Sequence, residues 1–318
     1  MRQNLNLDSS DNLSHKIKIK ASELGFERCG ITRAVYLERE SARFDAWVKN
    51  GYQAGMDYLE RNSEKRADPR KLVDNAKSVI VVLMSYESTP DFEQESPRFS
   101  RYALGEDYHM VLKERLHRLL DFVKKEVPGT KGRIFVDSAP VMERSLAVMA
   151  GLGWIGRNSM LINRELGSFT FIGEIITDLE LEFDDPHTKS YCGSCSRCIS
   201  ACPTSAILPD RTIDSNRCIS YITIEHRGFI PDFFRGKMSG WVFGCDICQE
   251  VCPWNNKPGQ GNSSIFNIKP EFLNFDPAEW RKLSRDEFNE IFHNSPLLRT
   301  GYNGFTRNLE FLEKGESS

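Results

Sequence analysis

Eight of the nine cysteines lie between Cys192 and Cys252, and only Cys29 stands apart. Two runs order them: Cys192-Gly-Ser-Cys195-Ser-Arg-Cys198-Ile-Ser-Ala-Cys202-Pro203, and Cys245-Asp-Ile-Cys248-Gln-Glu-Val-Cys252-Pro253, with Cys218 upstream of the second. The spacing C-x2-C-x2-C-x3-C-P belongs to bacterial ferredoxins that carry two cubane clusters. Three thiolates on one short loop cap three corners of a cubane. The fourth, on the helix that follows, points away and reaches the other cluster. By this crossing rule Cys192, Cys195, Cys198 and Cys252 bind one [4Fe–4S] cluster, and Cys202, Cys218, Cys245 and Cys248 bind the second. The second loop is irregular, because a long insertion separates Cys218 from Cys245. Paired CxxC units also build four-thiolate zinc sites, but zinc needs no triplet, and both x3-C-P endings favour cubanes. Cys29 reads as a small core hydrophobe.

The remaining composition narrows the setting. Lys plus Arg is 42 and Asp plus Glu is 45 in 318 residues, a net charge of −3. A protein that coats nucleic acid without specificity is basic, so that class is excluded, while a local basic surface is not. Hydrophobic residues make up 40% and charged residues 27%, which predicts a packed core. No apolar run approaches the ~20 residues of a membrane span. The polar start has no h-region, cleavage site or twin arginine, so the expected address is cytoplasmic and the thiols are expected reduced.

Upstream of the cysteines the pattern is mixed α/β. Strands are expected at 78–86, 132–137 and 168–181, the last bent at Gly173. Helices are expected at Asp11–Glu23, Tyr36–Lys49, Met110–Lys125 and Val141–Ala150. Polar segments at 182–191 and 255–264 read as linkers. The division is therefore 1–181 as a catalytic domain, 182–260 as a two-cluster ferredoxin-type domain, and 261–318 as a short tail packing on the core, with one amphipathic helix at Ser284–Phe292. A strand that ends at Asp137, followed by a Ser-Ala-Pro turn and a helix, leaves two readings of that carboxylate: a catalytic group or a helix cap.

The segment DSAPVMER (137–144), followed by AGLGWIGRN (150–158) and then by the cysteine runs, resembles the epoxyqueuosine reductases. RYALGEDYH (101–109) and MDYLERNSEKRADPRKL (56–72) extend the likeness over nearly the whole chain. The resemblance implies reduction of epoxyqueuosine to queuosine at the wobble position of tRNAs with GUN anticodons (Asp, Asn, His and Tyr type). It implies an α/β (α+β) cobalamin-binding domain with a nitroreductase-like layer, beside the two-[4Fe–4S] module. Longer members add a C-terminal helical-repeat domain, which this chain is expected to lack.

The resemblance also assigns roles. The clusters pass electrons singly to cobalt, and cob(I)alamin either attacks an epoxide carbon or transfers electrons to it. Asp137 matches the proton donor, and burial against the corrin would raise its pKa as that role requires. Arg61, Tyr102, Asn158 and Asp246 are the candidate cobalamin contacts. Asp107-Tyr-His109 offers half of the D-x-H-x-x-G lower-ligand pattern, but Leu112 replaces its glycine. The pattern is read as a chance match, His109 as a polar residue near a helix start, and cobalamin as bound base-off. Arg227, Arg235 and Lys237, in the insertion, are candidate tRNA contacts, and Arg61, Lys65, Arg66, Arg70 and Lys71 form a second basic group. The electron donor is unidentified, and a monomer is expected. The competing readings are a cobalamin-dependent, reductive-dehalogenase-like reductase of a small molecule and a two-cluster electron carrier.

Overall fold

The run Ser78–Ser85 is buried at every position, as a strand covered on both faces must be. In the computed structural model, which describes residues 12–86, 97–256, 266 and 268–316, this strand is central to the sheet. The elements are α1 (Leu13–Glu23), β1 (Arg28–Arg33), α2 (Glu38–Lys49), α3 (Ser63–Ala67), β2 (Ser78–Ser85), β3 (Arg98–Phe99), α4 (Tyr108–Glu126), β4 (Gly132–Phe135), α5 (Glu143–Met149), β5 (Trp154–Ile155), β6 (Leu161–Ile162) and β7 (Thr170–Thr177). The cysteine segment adds α6 (Arg197–Ala201), α7 (Ile219–Ile224), β8 (Trp241–Phe243) and α8 (Ile247–Glu250). The tail adds α9 (Pro270–Asn274), α10 (Pro277–Lys282), α11 (Arg285–Ile291) and α12 (Gly301–Glu316).

The main sheet has the order β1-β2-β7-β4, antiparallel throughout. On one face Ile80, Val82, Met84 and Ile175 meet Ile17 of α1 and Leu112 and Leu116 of α4. On the other, Val79, Val81, Leu83 and Ile176 meet Leu146 and Ala147 of α5. Truncating such a leucine to alanine costs about 2–5 kcal/mol.

The expected helices are present with shifted ends; Asp11 lies outside the described residues. The expected strand at 168–181 is shorter and does not bend at Gly173, whose pairing with Val82 keeps regular register. The glycine serves packing instead: a Cβ there would stand 2.9 Å from Leu116 Cδ1. β1 has no strong sequence signal, since it is short and charged at both ends. Its Gly30 is required because a Cβ would meet the Ala150 carbonyl oxygen at 2.2 Å. Cys29 on this strand is half-buried against the core, and burial pushes its thiol up to about 12.

Residues 182–191 contain no helix or strand, but they are not a free linker. Asp184 Oδ2 accepts the Ile31 N–H at 2.8 Å, and His187 stacks on Trp154. Most of 255–264 lies outside the described residues. The tail helices bury Trp280, Phe288, Phe292, Phe305 and Leu309 against Phe99, Leu104, Val242 and Phe243. α11 matches the expected tail helix, opened by a Ser284–Glu287 capping box.

Candidate active site and cluster loops

The strand expected to reach Asp137 stops at Phe135. Two residues on, Asp137 takes φ of +52°, a region costly for most residues but tolerated by aspartate. Its N–H donates to Glu143 Oε1 at 2.7 Å, at the start of α5. This turns the carboxylate outward, where it is 59% exposed. Oδ2 accepts the Tyr108 hydroxyl at 2.9 Å and lies 3.4 Å from His109 Nε2. Both partners come from the first turn of α4. Asp107 is the N-cap of that helix: one oxygen accepts the His109 N–H at 2.9 Å and lies 2.7 Å from His109 Nδ1. The Tyr108 ring stacks between His109 and Phe171, with centroids 4.1 Å away on each side. His109 therefore bridges two carboxylates, which the sequence reading of it as a bystander missed.

The electrostatics follow. Burial lowers the His109 pKa, but hydrogen bonds to Asp107 and Asp137 and their charges outweigh it and hold the imidazole near 9. Burial pushes Asp137 up, yet hydrogen bonds from His109 and Tyr108, with the charges of His109 and Arg144, bring it below the usual carboxylate range. Among the chain's own groups the balance thus favours a proton on His109 beside an ionised Asp137, the opposite of the direction expected from burial against the corrin. Glu143 is raised to about 7, by burial and then by the Asp137 charge. Glu174, on β7, is fully buried, and neither oxygen has a hydrogen-bond partner among the described residues. Burial, then Glu143 and Asp137, raise it well above the ordinary value, so it is a neutral acid.

Cys192, Cys195, Cys198 and Cys252 line one cavity, with Arg157, Arg197, Tyr191 and Trp254 around them. This is the first predicted set. Cys202, Cys218 and Cys245 lie within one another's electrostatic reach, as do Cys218, Cys245 and Cys248. Burial raises the Cys218, Cys245 and Cys248 thiols, so metal binding there releases protons. Among the described residues no three Cys, His, Asp or Glu side chains converge on a point suited to a single ion. The buried Arg157 Nε, on the wall of the Cys192 cavity, has no partner among the described residues, as suits a donor facing an anionic cluster.

Comparison with known proteins agrees with both features. Residues 191–255 match the 4Fe-4S double cluster binding domain, and 66–138 match the epoxyqueuosine reductase QueG, DUF1730 family. The epoxyqueuosine reductase of Cyclobacterium marinum is 46% identical over 95% of this chain and 97% of its own length. That of Pseudomonas aeruginosa is 40% identical over 97% of this chain and 87% of its own. The chain belongs to the epoxyqueuosine reductases. The Streptococcus thermophilus epoxyqueuosine reductase superposes with a TM-score of 0.88 at 29% identity, covering 96% of this chain and 82% of that one. An epoxyqueuosine reductase solved with an epoxyqueuosine-modified tRNA-Tyr stem loop gives 0.85 at 31% identity, covering 94% and 80%.

In this epoxyqueuosine reductase the other candidates take several positions. Tyr102 packs edge-on to Tyr108, and burial, then the charges of Asp137 and Asp246, push its phenol well up. Asp246 is buried, and its Oδ2 accepts the Arg101 N–H at 2.7 Å, tying the second cysteine loop to the turn that carries Tyr102. Burial raises it to about 6. Asn158 is buried and donates to the Cys248 carbonyl at 3.2 Å, joining the Gly-rich loop to the same cysteine loop. Arg61 is exposed in the turn before α3, whereas the half-buried Arg66 lies within electrostatic reach of Asp137 and Glu143. Arg227 donates to the Ile224 and Arg299 carbonyls, Arg235 pairs with Asp232, and Lys237 stands 3.8 Å over the Phe233 ring. No helix among the described residues is long and apolar enough to cross a membrane.

Proposed function

We propose that this chain reduces epoxyqueuosine to queuosine in the anticodon loop of tRNA, the reaction for which its family is named, using base-off cobalamin and two [4Fe–4S] clusters. The observation that carries the reading is the carboxylate of Asp137, turned outward at the end of β4 and joined to Tyr108 and His109. The substrate is the wobble nucleotide of GUN-anticodon tRNAs, extruded from its stack.

Both carbon–oxygen bonds of the epoxide break, and the oxygen leaves as water, which takes two electrons and two protons. When bound, the clusters and the cobalamin supply the electrons. The chain's own residues supply the first proton, and water at the exposed Asp137 carboxylate supplies the second. His109 holds one at neutral pH, and Asp137 Oδ2, 3.4 Å away, is the atom that passes it on. Tyr108 fixes that oxygen by a 2.9 Å hydrogen bond. Asp137 thus acts as proton donor in concert with His109. The eight cysteines hold the clusters in the two crossed sets. Arg66 Nε, buried without an acceptor among the described residues, fits a polar group on the corrin rim, and Tyr102 and Arg61 are further candidates. The division into 1–181, 182–260 and 261–318 is proposed on function alone, since the tail shares its core with both other parts.

The insertion suits RNA. Phe229 is 97% exposed, on a stretch whose His226 and Gly228 carbonyls accept from Arg307, and an unburied aromatic ring offers a stacking surface for a base. The test is anaerobic reconstitution with cobalamin, a strong reductant and epoxyqueuosine-containing tRNA, followed by nucleoside mass analysis. Queuosine is the expected product. Unchanged epoxyqueuosine, from protein with full iron content and bound corrinoid, would overturn the reading. Turnover of haloaromatics in place of the tRNA would favour the dehalogenase-like alternative.

A further inference from the structure

The two cysteine loops differ in their surroundings. The second is acidic and internal: Asp246 is buried, and Glu250 is paired with Arg98. The first has the opposite character. From Lys189 to Pro209 the chain contains no Asp or Glu, although the whole chain is net negative. Lys189 and Arg197 are exposed on this stretch. Two further cations come from the neighbouring loop: Arg157 donates to the Gly193 carbonyl at 3.0 Å, and the Arg164 guanidinium lies 5.9 Å from the Tyr191 ring centroid.

Between these cations the surface is low and partly apolar. Gly193, Ser194, Ser196 and Ser200 are exposed and small, and Tyr191 is 42% exposed. Small side chains over the ligand loop allow another molecule to come close to the thiols of Cys192, Cys195 and Cys198. Charged side chains around an apolar centre fit transient docking, in which complementary potentials raise the encounter rate. RNA would find the cations, but it has no use for close approach to the thiols.

We propose that the surface over the Cys192–Cys198 loop docks a small, acidic, one-electron carrier protein, and that electrons enter the enzyme there. This rests on the cluster assignment made above. In each encounter the reduced carrier loses one electron and the cluster held by Cys192, Cys195, Cys198 and Cys252 gains it. Two encounters supply one turnover.

The test uses the cluster-loaded protein and its Lys189→Glu/Arg164→Glu variant, neither residue being a cluster ligand. Reduced flavodoxin is the acidic probe and photoreduced deazariboflavin the small uncharged reductant. Cluster bleaching is followed by stopped flow, and tRNA affinity is measured in parallel. The expected result is a flavodoxin rate that falls with salt in the wild type. In the variant it is slower by about tenfold or more, with the deazariboflavin rate and tRNA affinity unchanged. An unchanged flavodoxin rate would overturn the proposal. So would an equal fall with both reductants, which would mean that the cations only tune the cluster. Loss of tRNA affinity with the flavodoxin rate intact would make this an RNA surface. A protein without iron would refute the cluster assignment itself, an outcome separate from the others.

Discussion

Replacing Asp107 with asparagine isolates the charge that keeps a proton on His109. Asparagine caps helices as well as aspartate, so α4 retains its first turn. The side-chain oxygen still accepts the His109 N–H, and only the negative charge is lost. His109 is held near 9 against an ordinary 6.5 by Asp107 and Asp137 together, in opposition to burial. Loss of one of the two carboxylate charges lowers it by about one unit, worth about 1.4 kcal/mol. At about pH 8.5 the protonated share of His109 then falls from roughly three-quarters to roughly one-quarter, a threefold loss of rate. Near pH 6 both proteins are fully protonated and equally fast. The assay is single-turnover conversion in a tRNA stem loop by pre-reduced, cofactor-loaded protein across this range. Stability shifts in the same sense. A raised imidazole pKa stabilises the fold fully below 6.5, progressively less up to about 9, and not at all beyond. Asp107→Asn therefore unfolds more readily at neutral pH and equally at strongly alkaline pH. An alkaline limb that stays in place in Asp107→Asn, or persists in His109→Asn, would refute His109 as the proton holder.

Asp137→Ala lowers turnover by about a hundredfold or more while visible absorption shows both clusters and the corrinoid retained; normal turnover would remove Asp137 from the chemistry. Glu174 is neutral when folded and ionised when unfolded at neutral pH, so it costs stability as pH rises above its ordinary 4.5, by about 1.4 kcal/mol per pH unit until its folded pKa is reached. Denaturant melts of Glu174→Gln should accordingly show a flatter pH dependence than wild type, and an identical slope would mean that Glu174 is ionised. Cys252→Ser loses the cluster of the first loop and about half of the iron, whereas loss of the second cluster's signal would disprove the crossing rule. Asp246→Ala frees the Arg101 N–H and loosens Tyr102, so turnover falls while iron content is kept, as iron analysis and nucleoside assay would show.

The two-cluster module and the central strand were legible because local spacing carries them. A thiolate triplet on one loop has one geometric use, and an unbroken run such as Ser78–Ser85 suits only a strand with both faces covered. β1 was not legible, because its conformation is imposed by β2 and by the close approach of Ala150 to Gly30. α12 was missed because its apolar positions, Phe305 and Leu309, acquire meaning only against Phe99 and Phe243. The His109 role depends on the first turn of α4 meeting the loop after β4, a contact between distant segments. Its one sequence trace was Asp107 two residues before it, which reads equally well as a helix cap. The lowered pKa of Asp137 was hidden for the same reason: its two hydrogen-bond donors come from a distant segment.

The site separates its titrating groups by environment rather than by type. Asp137 and Glu174 are both carboxylic acids facing the same region, yet one is held ionised and the other neutral. The difference lies in their partners: Asp137 receives a hydroxyl and an imidazole, whereas Glu174 receives nothing from the described residues. Glu143, between them in pKa at about 7, also anchors the Asp137 N–H at the start of α5. A third negative charge here would work against the ionised Asp137, and the neutrality of Glu174 avoids it. Tyr102, packed on Tyr108, lies within reach of the charges of both Asp137 and Asp246, and Asp246 belongs to the second cysteine loop. Proton-holding groups thus approach Asp137 from α4 and α5. Protons are thereby held close to the one oxygen that the proposed reaction uses as donor, beside a Glu174 whose raised pKa keeps it from adding a competing charge.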